Sequence, residues 1–258
     1  MNYLEVCRKI RERVSEEISK EKFEELGRKV GKGAFGEDTS LIDEVSEKTV
    51  ISELEKRGVN AIIISEEVGR VRLGEEPPEF EIILDPIDGT FNAVRGIPLY
   101  SISIAIKSLS SNQKFGYVSS LAVNEEFYAY EGKGAFRNSR KIRVSDKKEL
   151  ERANISLYSD ERRPERVLGL VRSVNRIRSY GSAALEICYV ACGALDSFVD
   201  LRGKQRIVDI AAASIILREA GGMITDDRGM DLSSRRDKIS VVASNKKLHE
   251  KILRLLEE

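Results

Sequence analysis

Three apolar runs in this chain end in acid. Ala61–Ser65 (AIIIS) leads into Glu66-Glu67, and Phe80–Leu84 (FEIIL) leads into Asp85-Pro86-Ile87-Asp88. Gln205–Val208 leads into Asp209, which opens the apolar stretch DIAAASIILREAGG. Short β-rich runs read as buried strands. A buried strand that delivers a carboxylate at its end narrows the fold, because such a charge needs a cation or hydrogen bonds. An α/β sheet gathers groups of this kind at its strand ends. Singly, each acid has an ordinary explanation. Glu66 and Glu67 suit the surface after an edge strand, Asp85 and Asp88 suit turns, and Asp209 suits a helix N-terminus. Three such clusters together point to a shared charged ligand.

The remaining pattern supports that class. Helical periodicity covers 3–29 and 39–57, the second opening at Thr39 and closing at Gly58, and returns at 162–173, 182–192, 208–219 and 246–257. Strand patterns occupy 61–65, 80–84, several runs between 100 and 146, then 154–158, 195–199, 223–226 and 239–243. A run of strands followed by alternating strands and helices predicts two sheets layered with helices. The division falls near residue 146. Residues 1–146 carry most of the acids, and 147–258 carry Asp209. No Pro/Gly/Ser-rich linker separates the halves, so they are expected to pack closely.

Composition then removes whole classes of chemistry. At 258 residues the chain can bury a sizeable core. Its 43 basic residues balance 43 acidic ones, which leaves no electrostatic footprint for nucleic acid or membrane. No apolar stretch reaches the roughly 18–20 residues needed to span a bilayer. The charged N-terminal stretch reads as neither signal nor anchor, so a cytoplasmic location is expected. Cys7, Cys188 and Cys192 make no disulfide framework, and the last two share an apolar helix face.

The only histidine, His249, falls in NKKLHEKILRLLEE, where a solvated helix face is expected. Ser-His-Asp, Cys-His and His-rich zinc chemistry are thereby set aside. Hydrolysis here would have to run on carboxylates, hydroxyls, cations or a hard metal. Sparse glutamine (Gln113 and Gln205) and absent tryptophan lean toward a thermophile's usage.

Two repeats carry little. GKGAF occurs at 31–35 and 132–136 with unrelated flanks. Gly31 to Gly36 satisfies G-x-G-x-x-G, but a charged helix precedes it and Glu37-Asp38 follows it, against the strand-turn-helix context of a dinucleotide fingerprint. The stretch LDPIDGTFN at 84–92 carries more. With no histidine available, Mg²⁺ is the natural partner of its acids. Pro86 fixes the backbone so that a peptide carbonyl can join two side chains. Gly89 and Thr90 present N–H groups and a hydroxyl suited to phosphate.

Glu66-Glu67 followed by LDPIDGTFN, then GSAALEICYVACGALDSFVD, then VDIAAASIILREAGG, resembles the inositol monophosphatase family over nearly the whole chain. Within it the likeness is to the archaeal branch acting on both fructose 1,6-bisphosphate and inositol monophosphate. The resemblance implies the sugar-phosphatase fold, an α/β architecture of αβαβα layers with two mixed sheets. It implies one Mg²⁺ held by Glu66, Asp85 and the Ile87 carbonyl, and a second held by Asp85, Asp88 and Asp209. A third, weaker ion would use Glu66 near the loop after Lys32, and Mn²⁺ could substitute. Thr90, backed by Asp43, would orient the attacking water, with Glu67 as base or alternate ligand. The implied chemistry is a two-metal in-line displacement without a phosphoenzyme. Gly89 and Thr90 would cradle the phosphoryl oxygens.

Two departures stand out. Val208 replaces a tryptophan common in relatives. The loop reads GAFGEDTS where archaeal relatives carry an aspartate and a Gly-Thr-Pro-Thr run. Phe35 takes the acid's place there, and Glu37 or Asp38 is the available substitute.

Substrate choice is expected in the second half. Gly181, Ser182 and Ala183 would approach the substrate ring, and Asp200 would accept from its hydroxyls. Arg202, Lys204 and Arg206 suit the second dianion of fructose 1,6-bisphosphate. Tyr158 and Arg178 are further substrate candidates. The leading reading is a Mg²⁺-dependent phosphatase of fructose 1,6-bisphosphate and inositol 1-phosphate, with the resemblance implying a homodimer. The alternatives are a 3′(2′),5′-bisphosphate nucleotidase and a nonenzymatic phosphate- or metal-binding regulator.

Overall fold

The computed structural model describes residues 1–34, 36–232 and 238–257, so Phe35 lies outside the described residues. Helix α1 (Tyr3–Ile18) leads to a ribbon of β1 (Lys29–Lys32) and β2 (Asp38–Ser40), then α2 (Leu41–Lys56). β3 (Ala61–Ser65), β4 (Gly69–Leu73) and β5 (Phe80–Asp88) follow, with the short α3 (Thr90–Val94) after them. β6 (Ser101–Ser108), β7 (Lys114–Ser120), β8 (Glu126–Tyr130), β9 (Gly134–Arg137) and β10 (Arg140–Ile142) complete the first half. The second half runs β11 (Asn154–Tyr158), α4 (Leu168–Ser173), β12 (Arg176–Arg178), α5 (Ala183–Ala191) and β13 (Ser197–Gln205). It ends with α6 (Ile207–Glu219), β14 (Gly222–Thr225), β15 (Ile239–Asn245) and α7 (Lys246–Glu257).

The first sheet has eight strands in the order β10-β9-β8-β7-β6-β5-β3-β4, and the second has five in the order β12-β11-β13-β15-β14. Both are mixed, as the resemblance implied: β3 and β5 are parallel in the first, β11 and its neighbours β12 and β13 in the second. Period-two alternation decides what each face touches. Ile82 and Leu84 of β5 join Val6, Ile10, Val50 and Leu54 of α1 and α2 in one core. Ile83, between them, faces a second core with α5, α6 and the inner residues Phe198, Val241 and Ala243 of the five-stranded sheet. Val199 and Val242, on that sheet's other face, pack on Leu170, Leu248, Ile252 and Leu256 of α4 and α7. The layers are therefore helix, sheet, helix, sheet, helix.

The central layer allows little room. A Cβ built on Gly116 of β7 would stand 2.5 Å from the Ala212 carbonyl of α6, so only glycine permits this close approach. Among the described residues, no helix is long and apolar enough to cross a membrane.

Several elements differ from expectation. α1 ends at Ile18 rather than continuing to 29, because beyond it Leu26 is the lone buried apolar residue and nothing pulls a helical stripe inward. A 3₁₀ turn at Phe23–Glu25 lies in that segment, and the β1–β2 ribbon begins at its end, Lys29. The helix expected over 162–173 is a 3₁₀ turn at Pro164–Val167 followed by α4. β4 and β12 are strands the pattern did not reveal. His249 is not on a solvated face. It is 1% exposed, with Nδ1 3.1 Å from Ser244 Oγ and Nε2 2.9 Å from Thr225 Oγ1. Burial against the five-stranded sheet pushes its imidazole down to about 4.

Candidate active site

The ends of β3 and β5 and the start of α6 meet at one cavity of about 310 Å³. Glu66, Asp85 and Asp209 each bring a carboxylate oxygen to within 4.8 Å of the others. Asp85 is 3% exposed and accepts from the Ile87 N–H at 3.0 Å. Burial, then Glu66, Asp88 and Asp209, hold its carboxyl well above the usual range. Burial and Asp209 push Glu66 up to about 8, and burial raises Asp209 to about 6. Three acids that oppose one another's ionisation in a buried site suit a hard divalent cation. This donor set is all oxygen, and it fits Mg²⁺ or Mn²⁺.

Asp209 also caps its own helix, its Oδ2 accepting from the Arg206 N–H at 2.7 Å. The ordinary explanation and the ligand explanation therefore apply to the same residue. Asp88 lies beside the trio but faces the start of α5. It accepts from Ala183 N at 3.0 Å, Ala184 N at 2.9 Å and the Ser182 hydroxyl, and burial raises it to about 7.

Beyond the bend, Thr90 Oγ1 lies 2.9 Å from Asp43 Oδ1 and 3.1 Å from the Ile87 carbonyl. Asp43 is raised by burial, and Ser40 and Thr90 partly offset that. Gly89 has a φ of 94°, and a Cβ there would lie 3.0 Å from the Leu99 carbonyl and 3.1 Å from that of Gly181. The chain can turn here only without a side chain. Glu67 is turned toward Thr39, whose hydroxyl it accepts. Behind it, Glu47 is 3% exposed and accepts from the Ser65 hydroxyl and from Val68 N at 3.2 Å.

A second wall carries the cations. Arg202 grips Asp200 at 2.6 Å and lies 4.2 Å from the centre of the Tyr158 ring. Asp200 was expected to accept from substrate hydroxyls. It is instead 0% exposed and absent from the cavity lining, with Arg202 and the Gln205 amide, at 2.7 Å, on its oxygens. Tyr158 OH lies 2.6 Å from Glu186 Oε1 and accepts from Gly181 N at 2.6 Å. Lys204 lines the cavity, as do Gly181 and Ala183. Ser182 is buried and spends its hydroxyl on Asp88. Arg178 is exposed, donates to the Ile177 carbonyl and does not line the cavity. Arg206 is 2.8 Å from Glu66 and also pairs with Glu37, which Lys238 meets at 2.7 Å.

Sequence reasoning passed over Glu186, Gln205, Lys238 and Glu47. Glu186 left a signal, an acid within the otherwise apolar AALEICYVA helix. Lys238 left none, since its place depends on how the two halves meet.

Comparisons with known proteins agree over the length of the chain. The inositol monophosphatase family profile matches residues 3–258. A fructose-1,6-bisphosphatase/inositol-1-monophosphatase of Methanothermobacter thermautotrophicus is 40% identical, over 91% of this chain and 89% of the relative. A bifunctional NADP phosphatase/NAD kinase of Methanococcus maripaludis is 37% identical over 97% of this chain, which spans only 48% of that relative's length. A crystal structure described as an inositol monophosphatase-fructose 1,6 bisphosphatase superposes with a TM-score of 0.86 at 33% identity, over 99% of this chain and 100% of that one.

Proposed function

Because the chain belongs to the inositol monophosphatase family, we propose that it is a Mg²⁺-dependent phosphatase hydrolysing fructose 1,6-bisphosphate to fructose 6-phosphate and inositol 1-phosphate to inositol. One observation carries the reading: three carboxylates within 4.8 Å of one another share a cavity with Arg202, Lys204 and Arg206. Glu66, Asp85, Asp209 and the Ile87 carbonyl would hold the metal, with Asp88 beside them. The chemistry a divalent cation supplies at such a site is Lewis acidity toward water and phosphoryl oxygens.

The chain's own groups do the rest. Thr90 Oγ1, fixed between Asp43 and the Ile87 carbonyl, orients the attacking water. Asp43, its carboxyl raised by burial, is suited to take the released proton through that hydroxyl. The Gly89 turn brings backbone N–H groups up to the phosphoryl oxygens without a side chain in the way. Arg202, Lys204 and Arg206 line the far side of the cavity and together suit the second dianion of fructose 1,6-bisphosphate. The likeness to a bifunctional NADP phosphatase favours one competing ester, NADP⁺.

The test is phosphate release from fructose 1,6-bisphosphate, inositol 1-phosphate, NADP⁺ and 3′-phosphoadenosine 5′-phosphate, with Mg²⁺ and with EDTA. Metal-dependent turnover of the first two supports the proposal. Turnover confined to a nucleotide replaces the substrate and keeps the reaction. No turnover of any ester sinks the enzymatic reading.

A further inference from the structure

Glu37 brings a carboxylate to the mouth of the cavity. It sits on the loop between β1 and β2, 53% exposed by its side chain, yet it bridges two cations from the second half of the chain, Arg206 and Lys238. Arg206 is 9% exposed by the same measure, and its other terminal nitrogen lies 2.8 Å from Glu66. One guanidinium thus links the acid cluster to the cavity mouth, and Glu37 closes the link from outside. All four residues line the cavity.

We propose that Arg206 and Lys238 form an oxyanion subsite at the cavity mouth, and that Glu37 fills it as an internal competitor that a phosphoryl group displaces. The proposal rests on reading the cavity as a phosphate-ester site, and it adds Lys238 to the cations that meet an ester's additional anionic group and names the carboxylate that holds their place. A planar guanidinium beside a mobile ammonium suits a phosphoryl group better than a carboxylate, because phosphate brings more charge and a third oxygen. A half-exposed carboxylate is a weak occupant, since solvent screens such pairs. Displacement also has a structural consequence. The loop is folded on itself by Gly33 N to Glu37 O at 2.9 Å and Gly36 N to Gly33 O at 3.0 Å. The acceptor of the first bond is the Glu37 carbonyl, so displacing Glu37 couples anion arrival to the Gly33 amide. Glu37 therefore acts as a filter that an ester with one anionic group passes less readily than one with two.

The test titrates inorganic phosphate calorimetrically into the full chain, once with saturating Mg²⁺ and once in EDTA. Glu37→Gln is expected to tighten phosphate binding roughly five- to tenfold in both buffers. Asp38→Asn makes the same charge change one residue along and is expected to alter affinity less than about twofold. Adding Lys238→Met to Glu37→Gln should return the affinity to the starting value. Phosphate should also speed amide exchange at Gly33 in the unmodified chain and leave it unchanged in Glu37→Gln. Equal affinities in the chain and Glu37→Gln, or no detectable binding in any variant, overturn the competitor. Loss of Mg²⁺ affinity in Glu37→Gln without a change toward phosphate makes Glu37 a metal ligand and overturns it too. Hydrolysis of the ester panel is read separately, so the phosphatase reading survives or falls on its own result.

Discussion

Asp85 and Asp200 are both buried aspartates flanking one cavity, 3% and 0% exposed, and their surroundings differ in kind. Asp85 faces Glu66, Asp88 and Asp209, and its hydrogen bond comes from the Ile87 N–H. Asp200 is gripped by the Arg202 fork and the Gln205 amide. Burial alone does not separate the two residues. The sign of the neighbouring charge does: Asp85 lies among carboxylates that could hold a cation, with Arg206 reaching Glu66 at their edge, whereas Asp200 has a cation of its own. A buried acid among acids is a place for chemistry, whereas a buried acid within a cationic fork is part of the frame.

Substitutions should split along this line. Asp85→Asn is expected to lower metal-dependent turnover by about a thousandfold or more, about 4 kcal/mol of barrier, while leaving the metal-free melting temperature unchanged or higher. Steady-state kinetics beside calorimetry checks both halves, and a variant that unfolds would erase the contrast. Asp200→Asn should do the reverse. It costs about 3 kcal/mol in urea unfolding, because Arg202 loses the charge it grips, and reduces turnover less than about tenfold.

Metal and pH sharpen the first site. Glu66, raised to about 8, keeps in the folded chain a proton that the unfolded chain releases above about 4.5. Its contribution without metal is therefore full below the unfolded value and lost as pH rises through 8. Mg²⁺ should raise the melting temperature by about 5–10 °C at a hundredfold excess over Kd. The rise should be larger at pH 8 than at pH 5.5, where protons compete, and equal shifts would contradict the assignment.

His249 offers a third kind of burial, neutral and hydrogen-bonded. Its folded value of about 4 lies below the ordinary 6.5, so its contribution is complete above 6.5 and lost as pH falls toward 4. Relative to His249→Gln, the chain should lose about 2 kcal/mol between pH 7.5 and 5 in urea titrations. The smallest effect belongs to Tyr158→Phe. It removes the hydroxyl between Glu186 and Gly181 and should cost about 1 kcal/mol, read in the same titration.

The acids of the first wall were legible because Glu66 and Asp85 follow apolar runs and Asp209 opens one, so that sequence order and spatial convergence coincide. The layered fold was legible for the same reason, through alternation in β5 and β6. The second wall was not. The role of Asp200 depends on Arg202 folding back onto it, and spacing cannot distinguish that from an arginine reaching outward. His249 misled because its neighbours Lys246, Lys247 and Glu250 are charged, although Leu248, Ile252 and Leu256 already traced the buried stripe beside it. The β1–β2 ribbon was hidden by exposure, having little apolar alternation to report.

The close contact between Gly116 and α6 makes the spacing of the three clustered carboxylates a property of the whole sandwich. Asp209 rides on the first turn of a helix clamped between two sheets, whereas Glu66 and Asp85 ride on one of those sheets. A methyl group added at Gly116 would have to push the helix away from the strand that crowds it. The carboxylates would separate although none of them had changed. Inheritance should therefore treat this unremarkable strand position much as it treats the acids themselves, and laboratory evolution of the substrate pocket should leave it alone.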